Sequence, residues 1–264
     1  MENEELDNFS TEENKVLEKN VELPILEFFA INFICFLVPF YVCLGIFLIL
    51  EYLILNFFKL SPLIHWIIFP FSMILLYCVY ILILIEFSAF WVKLWNKKSP
   101  PKQGIFQRVL DKRDSEETKL LKYYHRRGFI IKFPVWLSSK SPFPWLLNRA
   151  LRKIGHNKIK NNVIYCDSFA GLEFTKLHEN VFIYPTSAIS SHAVNSIFGK
   201  ISIVEIKIGK NSTFYPGVIA GPDARTDDNY VIYPLSVLHK GWRGELDKKY
   251  YSGEPAKSFK HNDN

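Results

Sequence analysis

The side chains best suited to moving a proton are four histidines of the C-terminal half, His156, His178, His192 and His239. An imidazole titrates near neutral pH and can act as a general base, and three together can hold zinc. Cysteine adds little. Cys35, Cys43 and Cys78 lie inside apolar runs, Cys166 stands alone, and no CxxC pair is present for metal or redox work. No metal is expected, and Cys166 reads as a small buried apolar residue. His192 has the most informative neighbourhood. It lies in "ISSHAV", the last of three six-residue units, just before a stretch that falls out of their phase. A loop there could wall an acceptor pocket, and a neutral imidazole beside it could take a proton from an attacking hydroxyl. The residues alone fit a surface histidine on a corner equally well.

The elements that would position His192 are the repeats themselves. From Leu177 the chain reads "LHENVF", "IYPTSA", "ISSHAV", and from Ile208 it reads "IGKNST", "FYPGVI", "AGPDAR", "TDDNYV", "IYPLSV", then Leu238. First positions are Leu177, Ile183, Ile189, Ile208, Phe214, Ala220, Thr226, Ile232 and Leu238; fifth positions of the later block are Ser212, Val218, Ala224, Tyr230 and Ser236. A period of six with apolar or small residues at those places is the mark of a parallel β-helix, whose strands stack at about 4.8 Å and each bury one side chain. Small fifth positions suit tight corners. The step from Ile189 to Ile208 is nineteen residues, not a multiple of six, so "NSIFGKISIVE" is expected to contain a loop that leaves the coil and returns. Upstream, "IGHNKIKNNVIYCDSF" reads as a degenerate first coil opening at Ile154 and Gly155. Four or five coils of about eighteen residues result.

The N-terminal part follows another pattern. Phe28–Leu50 and Leu63–Ile85 are each 23 residues long, and His65 is their one ionisable group apart from cysteine and tyrosine. Helices of that length cross a bilayer core. A cleaved signal peptide is not expected from the first twenty residues, which hold seven acids and two lysines. Pro39 and Pro70 are tolerated in membrane helices, and no polar stripe interrupts the apolar surface as it would in a water-facing hairpin. Lys93, Lys97, Lys98 and Lys102 follow the second run, whereas Lys59 alone lies between the two, so both termini are expected to be cytoplasmic.

Charge is concentrated after the spans. Residues 93–160 hold eighteen lysines and arginines against four acids, although the whole chain carries only +6. Interleaved with Trp91, Trp95, Phe129, Phe133, Trp136, Phe143 and Trp145, this collar suits anionic headgroups. Nucleic-acid binding is the weaker reading, since adjacency to a membrane accounts for both the basic and the aromatic residues.

The chain from about Arg152 to Lys257 resembles the left-handed β-helix domain of the hexapeptide-repeat acyltransferases. "YPLSVLHK" is similar to the last-coil "GAGSVVTKD" pattern and "YSGEPAK" to the terminal "GxPAK" signature. The spans and the "ISSHAV" turn also resemble the terminal membrane region of polylysine synthetase-like peptide synthetases. The resemblance implies left-handed winding, transfer of an acyl group from acyl-CoA, acetyl-CoA above all, and a site between two subunits of a homotrimer. It implies His192 as general base, with Glu173, about one coil earlier, orienting it. For acyl-CoA it implies Pro216, Pro234, His239, Lys240 and Lys257. His239 and Lys240 stand where the family has Thr-Lys, and "GWRGELDKKY" replaces a short proline-rich link. Left-handed β-helix carbonic anhydrases carry paired histidines five residues apart, a spacing absent here.

The expected fold class is all-β, a left-handed parallel β-helix preceded by a two-helix transmembrane hairpin. Its expected parts are an acidic disordered tail (1–22), the hairpin (23–98), a basic interfacial linker with amphipathic segments (99–151), the β-helix (152–258) and a short tail (259–264). The expected function is an integral membrane O-acyltransferase acting on a membrane-associated sugar or lipid-linked acceptor, with membrane lipid and no nucleic acid as partner. The alternative is a non-catalytic membrane-anchored scaffold.

Overall fold

The computed structural model describes residues 24–108, 115–165, 168–170, 173–195, 199–245 and 247–259. The acidic tail, Cys166 and residues 260–264 lie outside them. Two compact units are present: Ile25–Lys97 with Arg126–Gly155, and Lys98–His125 with the described part of His156–Asn264.

The first unit is helical. Helix α1 (Ile25–Tyr52) runs on into a π-helical turn (Leu53–Phe57), and α2 (Pro62–Lys98) returns beside it. Both are long and apolar enough to cross a membrane. Their antiparallel pairing shows in contacts near the turn and midway along: Glu51 lies 3.6 Å from His65, Phe47 packs on Phe69, and the Tyr80 hydroxyl points to the Phe36 carbonyl. Phe33, Trp66 and Phe71 are all more than 60% exposed, which sets these helices apart from the buried core of a soluble hairpin. Helix α3 (Glu116–Ser139) contributes its second half here, where Arg126 pairs with Glu27, and Phe129 and Phe133 pack edge-on against Phe28 and Phe36.

Helix α4 (Pro144–Ile154) opens with proline in its first turn and buries Leu146, Leu147, Ala150, Leu151 and Ile154, one apolar stripe at helical spacing. Its outer face sends Arg149 and Lys153 to Glu86, at 2.5 and 3.3 Å. The fold class all-β therefore needs correction: helices of 28, 37, 24 and 11 residues share the chain with the coils. Ile154 closes α4 instead of opening the first coil, because it completes that stripe; the first coil strand is His156–Ile159.

The second unit is a parallel β-helix with three strand faces. Ile159 pairs with Leu177 and Ile164 with Phe182, and the later coils pair Phe214 with Ile232 and Ala220 with Leu238, each eighteen residues on, while Phe169 pairs with Ala188 at nineteen. Four full coils and the start of a fifth result. Inside run columns of completely buried side chains, such as Leu177 and Ile208 on one face, Ile183, Phe214 and Ile232 on the second, and Ile189, Ala220 and Leu238 on the third. Fifth positions Ser212, Val218, Ala224 and Ser236 are equally buried, so both positions point inward. Thr226 fits the core because its hydroxyl accepts the Gly209 N–H at 2.9 Å. A Cβ at Gly209 would stand 2.1 Å from the Asp227 carbonyl oxygen, so only glycine fits there.

The corners are set by fourth positions, not fifth. Asn211, Asp223, Asn229 and Leu235 all have φ between 56° and 64°, as do Asn180 and Thr186 in the earlier block at 58° and 62°. Asn and Asp tolerate this left-handed conformation better than other chiral residues. One corner also carries a ladder of carboxamides. Asn162 donates to Asn180, Asn180 to Asn211 and Asn211 to Asn229, at 3.2, 2.9 and 2.9 Å.

Candidate functional site

Ile189 pairs with Ala220, thirty-one residues on, so thirteen residues leave the coil. They are His192–Val204, and the Val204 N–H returns to the Ser191 carbonyl at 2.8 Å. The loop begins earlier than the phase slip suggested. Within it His192–Asn195 and Lys200–Ile203 form an antiparallel hairpin, and Gly104–Gln107 adds a third strand. Leu121, Ile201 and Ile203 form the buried core under this sheet, with Phe106, Tyr124 and Phe174 packed against it. His192 is thus the first residue of a strand, paired with Ile203.

Ser190 fixes the His192 ring. Its hydroxyl donates to the His192 carbonyl at 2.7 Å, accepts the His192 N–H at 3.3 Å and lies 3.4 Å from Nδ1. With the serine proton given to the carbonyl, Ser190 is an acceptor toward the ring, and a proton on Nδ1 would satisfy it and put the lone pair on Nε2. The Tyr124 ring stands edge-on at 6.0 Å.

Glu173 lies one coil below this corner. The Ser191 hydroxyl donates to the Glu173 carbonyl, while the Glu173 Cα is in register with His156. Lys240 does reach the hairpin: its Nζ donates to the Ser202 hydroxyl at 3.2 Å, and Ser202 faces Ala193, beside His192. His239 follows Leu238 on the same corner that carries Ser190 and Gly221, because Ile189, Ala220 and Leu238 are stacked in register. Pro216 and Pro234 occupy a different corner, where the Leu235 N–H donates to the Pro216 carbonyl at 3.0 Å. Lys257 lies in the terminal antiparallel strand paired with Tyr250–Ser252. The structure therefore gathers His192, His239 and Lys240 on one corner and places Pro216, Pro234 and Lys257 elsewhere. Among the described residues no three of His, Cys, Asp and Glu group to hold a metal.

Ser190, Ser202 and Tyr124 escaped sequence reasoning. A serine two residues before the histidine is a local signal that could have been used, since serine hydroxyls bond to nearby backbone. Tyr124 gives none. Tyr165, stacked beneath Ile183, buries its hydroxyl with no hydrogen-bond partner among the described residues; loss of water pushes its pKa up, so the phenol stays neutral. Burial, then the bond with Tyr251, does the same at Tyr230.

The sequence matches no protein family model and no curated protein. Among solved structures the chain is similar to a maltose O-acetyltransferase from Clostridium difficile 630, at 19% identity over 51% of this chain and 84% of that one, with a TM-score of 0.35. A galactoside acetyltransferase in complex with coenzyme A is 15% identical over 52% and 81%, with a TM-score of 0.38. A hexapeptide-repeat acetyltransferase from Vibrio cholerae O1 biovar eltor, complexed with acetyl coenzyme A, is 12% identical over 57% and 91%, with a TM-score of 0.36.

Proposed function

We propose that this chain is a membrane-anchored acyltransferase that moves an acyl group, acetyl first among them, from acyl-CoA to a hydroxyl of a membrane-associated sugar or lipid-linked acceptor. The observation that carries the reading is the contact of the Ser190 hydroxyl with His192 Nδ1, which supports a ring protonated there with its basic lone pair on Nε2. In the reaction Nε2 takes the acceptor's hydroxyl proton as the oxygen attacks the thioester carbon. The oxygen–carbon bond forms, the carbon–sulfur bond breaks, and the imidazolium returns the proton to the departing thiolate. Lys240 and His239, on the same side of the coils as the hairpin, suit the phosphates of the donor, for which an ammonium is a compact point charge. Pro216, Pro234 and Lys257 enter through the motif resemblance.

Two apolar helices support the anchor. With the basic residues after the second one, they support cytoplasmic termini. A catalytic unit tethered to a bilayer meets lipid-linked acceptors in two dimensions, which gives the acceptor class. Left-handed winding and assembly into homotrimers accompany the same reading.

The test is to incubate detergent-solubilised protein with labelled acetyl-CoA and native membrane lipids. His192→Ala is expected to lower lipid labelling by roughly 10²- to 10⁴-fold, the usual contribution of a general base, with coenzyme A binding retained. Equal labelling by both proteins dismisses His192 as the base. A wild type that binds no coenzyme A points to the scaffold.

A further inference from the structure

One face of the β-helix carries a column of basic residues. Lys158 pairs in register with Lys176, Lys176 with Lys207, Lys207 with Arg225, and Arg225 with Arg243. Their neighbours in the strands, Ile159, Leu177, Ile206 and Ile208, are buried, so these five side chains project outward. Steps of about 4.8 Å make the column roughly 19 Å long. Stacked like charges repel one another, and a sheet gains nothing for its own stability from such a row. The upper end is partly neutralised, since Asp223 pairs with both Arg225 and Arg243, at 3.1 and 2.9 Å. Among the described residues Lys158, Lys176 and Lys207 make no ion pair.

Hexad packing does not require this row, because outward positions of a β-helix accept any residue soluble enough to face water. We infer that the column binds the phosphates of anionic lipid headgroups at a bilayer surface. Three features favour that occupant. The charges lie along a line on a flat sheet face; among the described residues none of the five basic side chains packs on an aromatic ring; and the same chain holds two helices able to cross a membrane. The inference rests on the membrane part of the proposed function and not on acyl transfer.

The experiment reconstitutes the full-length chain in nanodiscs of phosphatidylcholine, with or without phosphatidylglycerol. The rate at which an amine-acylating reagent modifies each lysine is read by mass spectrometry, with the exposed Lys210, Lys248 and Lys249 as internal references. Phosphatidylglycerol is expected to slow modification of Lys158, Lys176 and Lys207 relative to the references by roughly fivefold each, the ratio matching about 1 kcal/mol per basic residue near an anionic surface. High salt should remove the effect. The double variant Lys176→Gln/Lys207→Gln keeps its outward positions and should lose the protection at Lys158. Equal rates in both discs overturn the inference while leaving acyl transfer standing. Protection by inorganic phosphate in neutral discs assigns the column to a free anion and overturns the bilayer as its source. A chain that stays soluble outside the discs sinks the anchor and the column together.

Discussion

The later coils and the insertion between them are built on opposite rules. In the coils from Ile206 to Leu238 each strand is placed by the one eighteen residues away, parallel to it, and the same few positions are buried each time. From His192 to Val204 the chain turns antiparallel, and one of its strands is held by Gly104–Gln107, which precedes the whole β-helix. Repetition makes the coils a scaffold in which neighbouring rungs support one another. The insertion makes a place where unlike residues converge: a histidine, two serines, a lysine and a tyrosine. Substitutions should therefore separate cleanly, with the coils governing whether the protein folds and the insertion governing what it does.

The largest effect expected on the scaffold side is Phe214→Ala. Phe214 is fully buried between Ile183 and Ile232, and truncation should cost about 3–5 kcal/mol. Denaturant unfolding in detergent, followed by tyrosine fluorescence, should show it, and any activity should fall with the folded fraction. A midpoint unchanged from wild type would mean that the stacked columns are not the core. Next comes Ser190→Ala on the insertion side. It removes the hydroxyl that holds the ring, which should lower turnover roughly 10- to 100-fold, typical of a supporting contact, at an unfolding midpoint close to wild type. The decisive readout is the position of the histidine ring proton by nitrogen NMR. A ring proton still confined to Nδ1 in the variant would deny Ser190 its positioning role.

The smallest effect has the opposite sign. Leu235 is 77% exposed and holds φ at 59°, a conformation unfavourable for leucine, at the fourth position that Asn180, Asn211, Asp223 and Asn229 take in other hexads. Leu235→Asn is expected to stabilise the coils by about 1 kcal/mol, read as a higher unfolding midpoint. A lower midpoint would show that Leu235 is kept for a contact made by its side chain.

Much of the scaffold is written into the sequence because burial recurs with the coil. Ile208, Phe214 and Ile232 could be assigned to the interior from spacing alone, and the apolar lengths around Phe28–Leu50 and Leu63–Ile85 marked the two long helices. The corner rule escaped because it depends on backbone angle, which Leu235 and Thr186 obey without the residue type that would announce it. The site was harder still. "ISSHAV" reads as one more hexad, yet its last three residues pair with Ile201–Ile203. The strand that completes this sheet, Gly104–Gln107, sits in a stretch read as linker, and no periodicity connects positions so far apart. Helix α4 falls in the stretch whose pattern predicts amphipathic segments, with only its last turn, residues 152–154, lying within the expected coils.

The carboxamide ladder has a direction. Every amide nitrogen from Asn162 to Asn211 donates toward the next coil, so the row runs head to tail, and its dipoles reinforce one another. Beyond Asn229 the register slips to nineteen residues, Val231 pairing with Tyr250, so the corner is not repeated in phase on the next coil. In the language of polymers, Asn162 is the initiator of this chain of amides and Asn229 its last acceptor among the described residues. A coil duplicated between Asn211 and Asn229 would propagate the chain. One added beyond the nineteen-residue step would stand out of phase with it, so this row of amides extends from within.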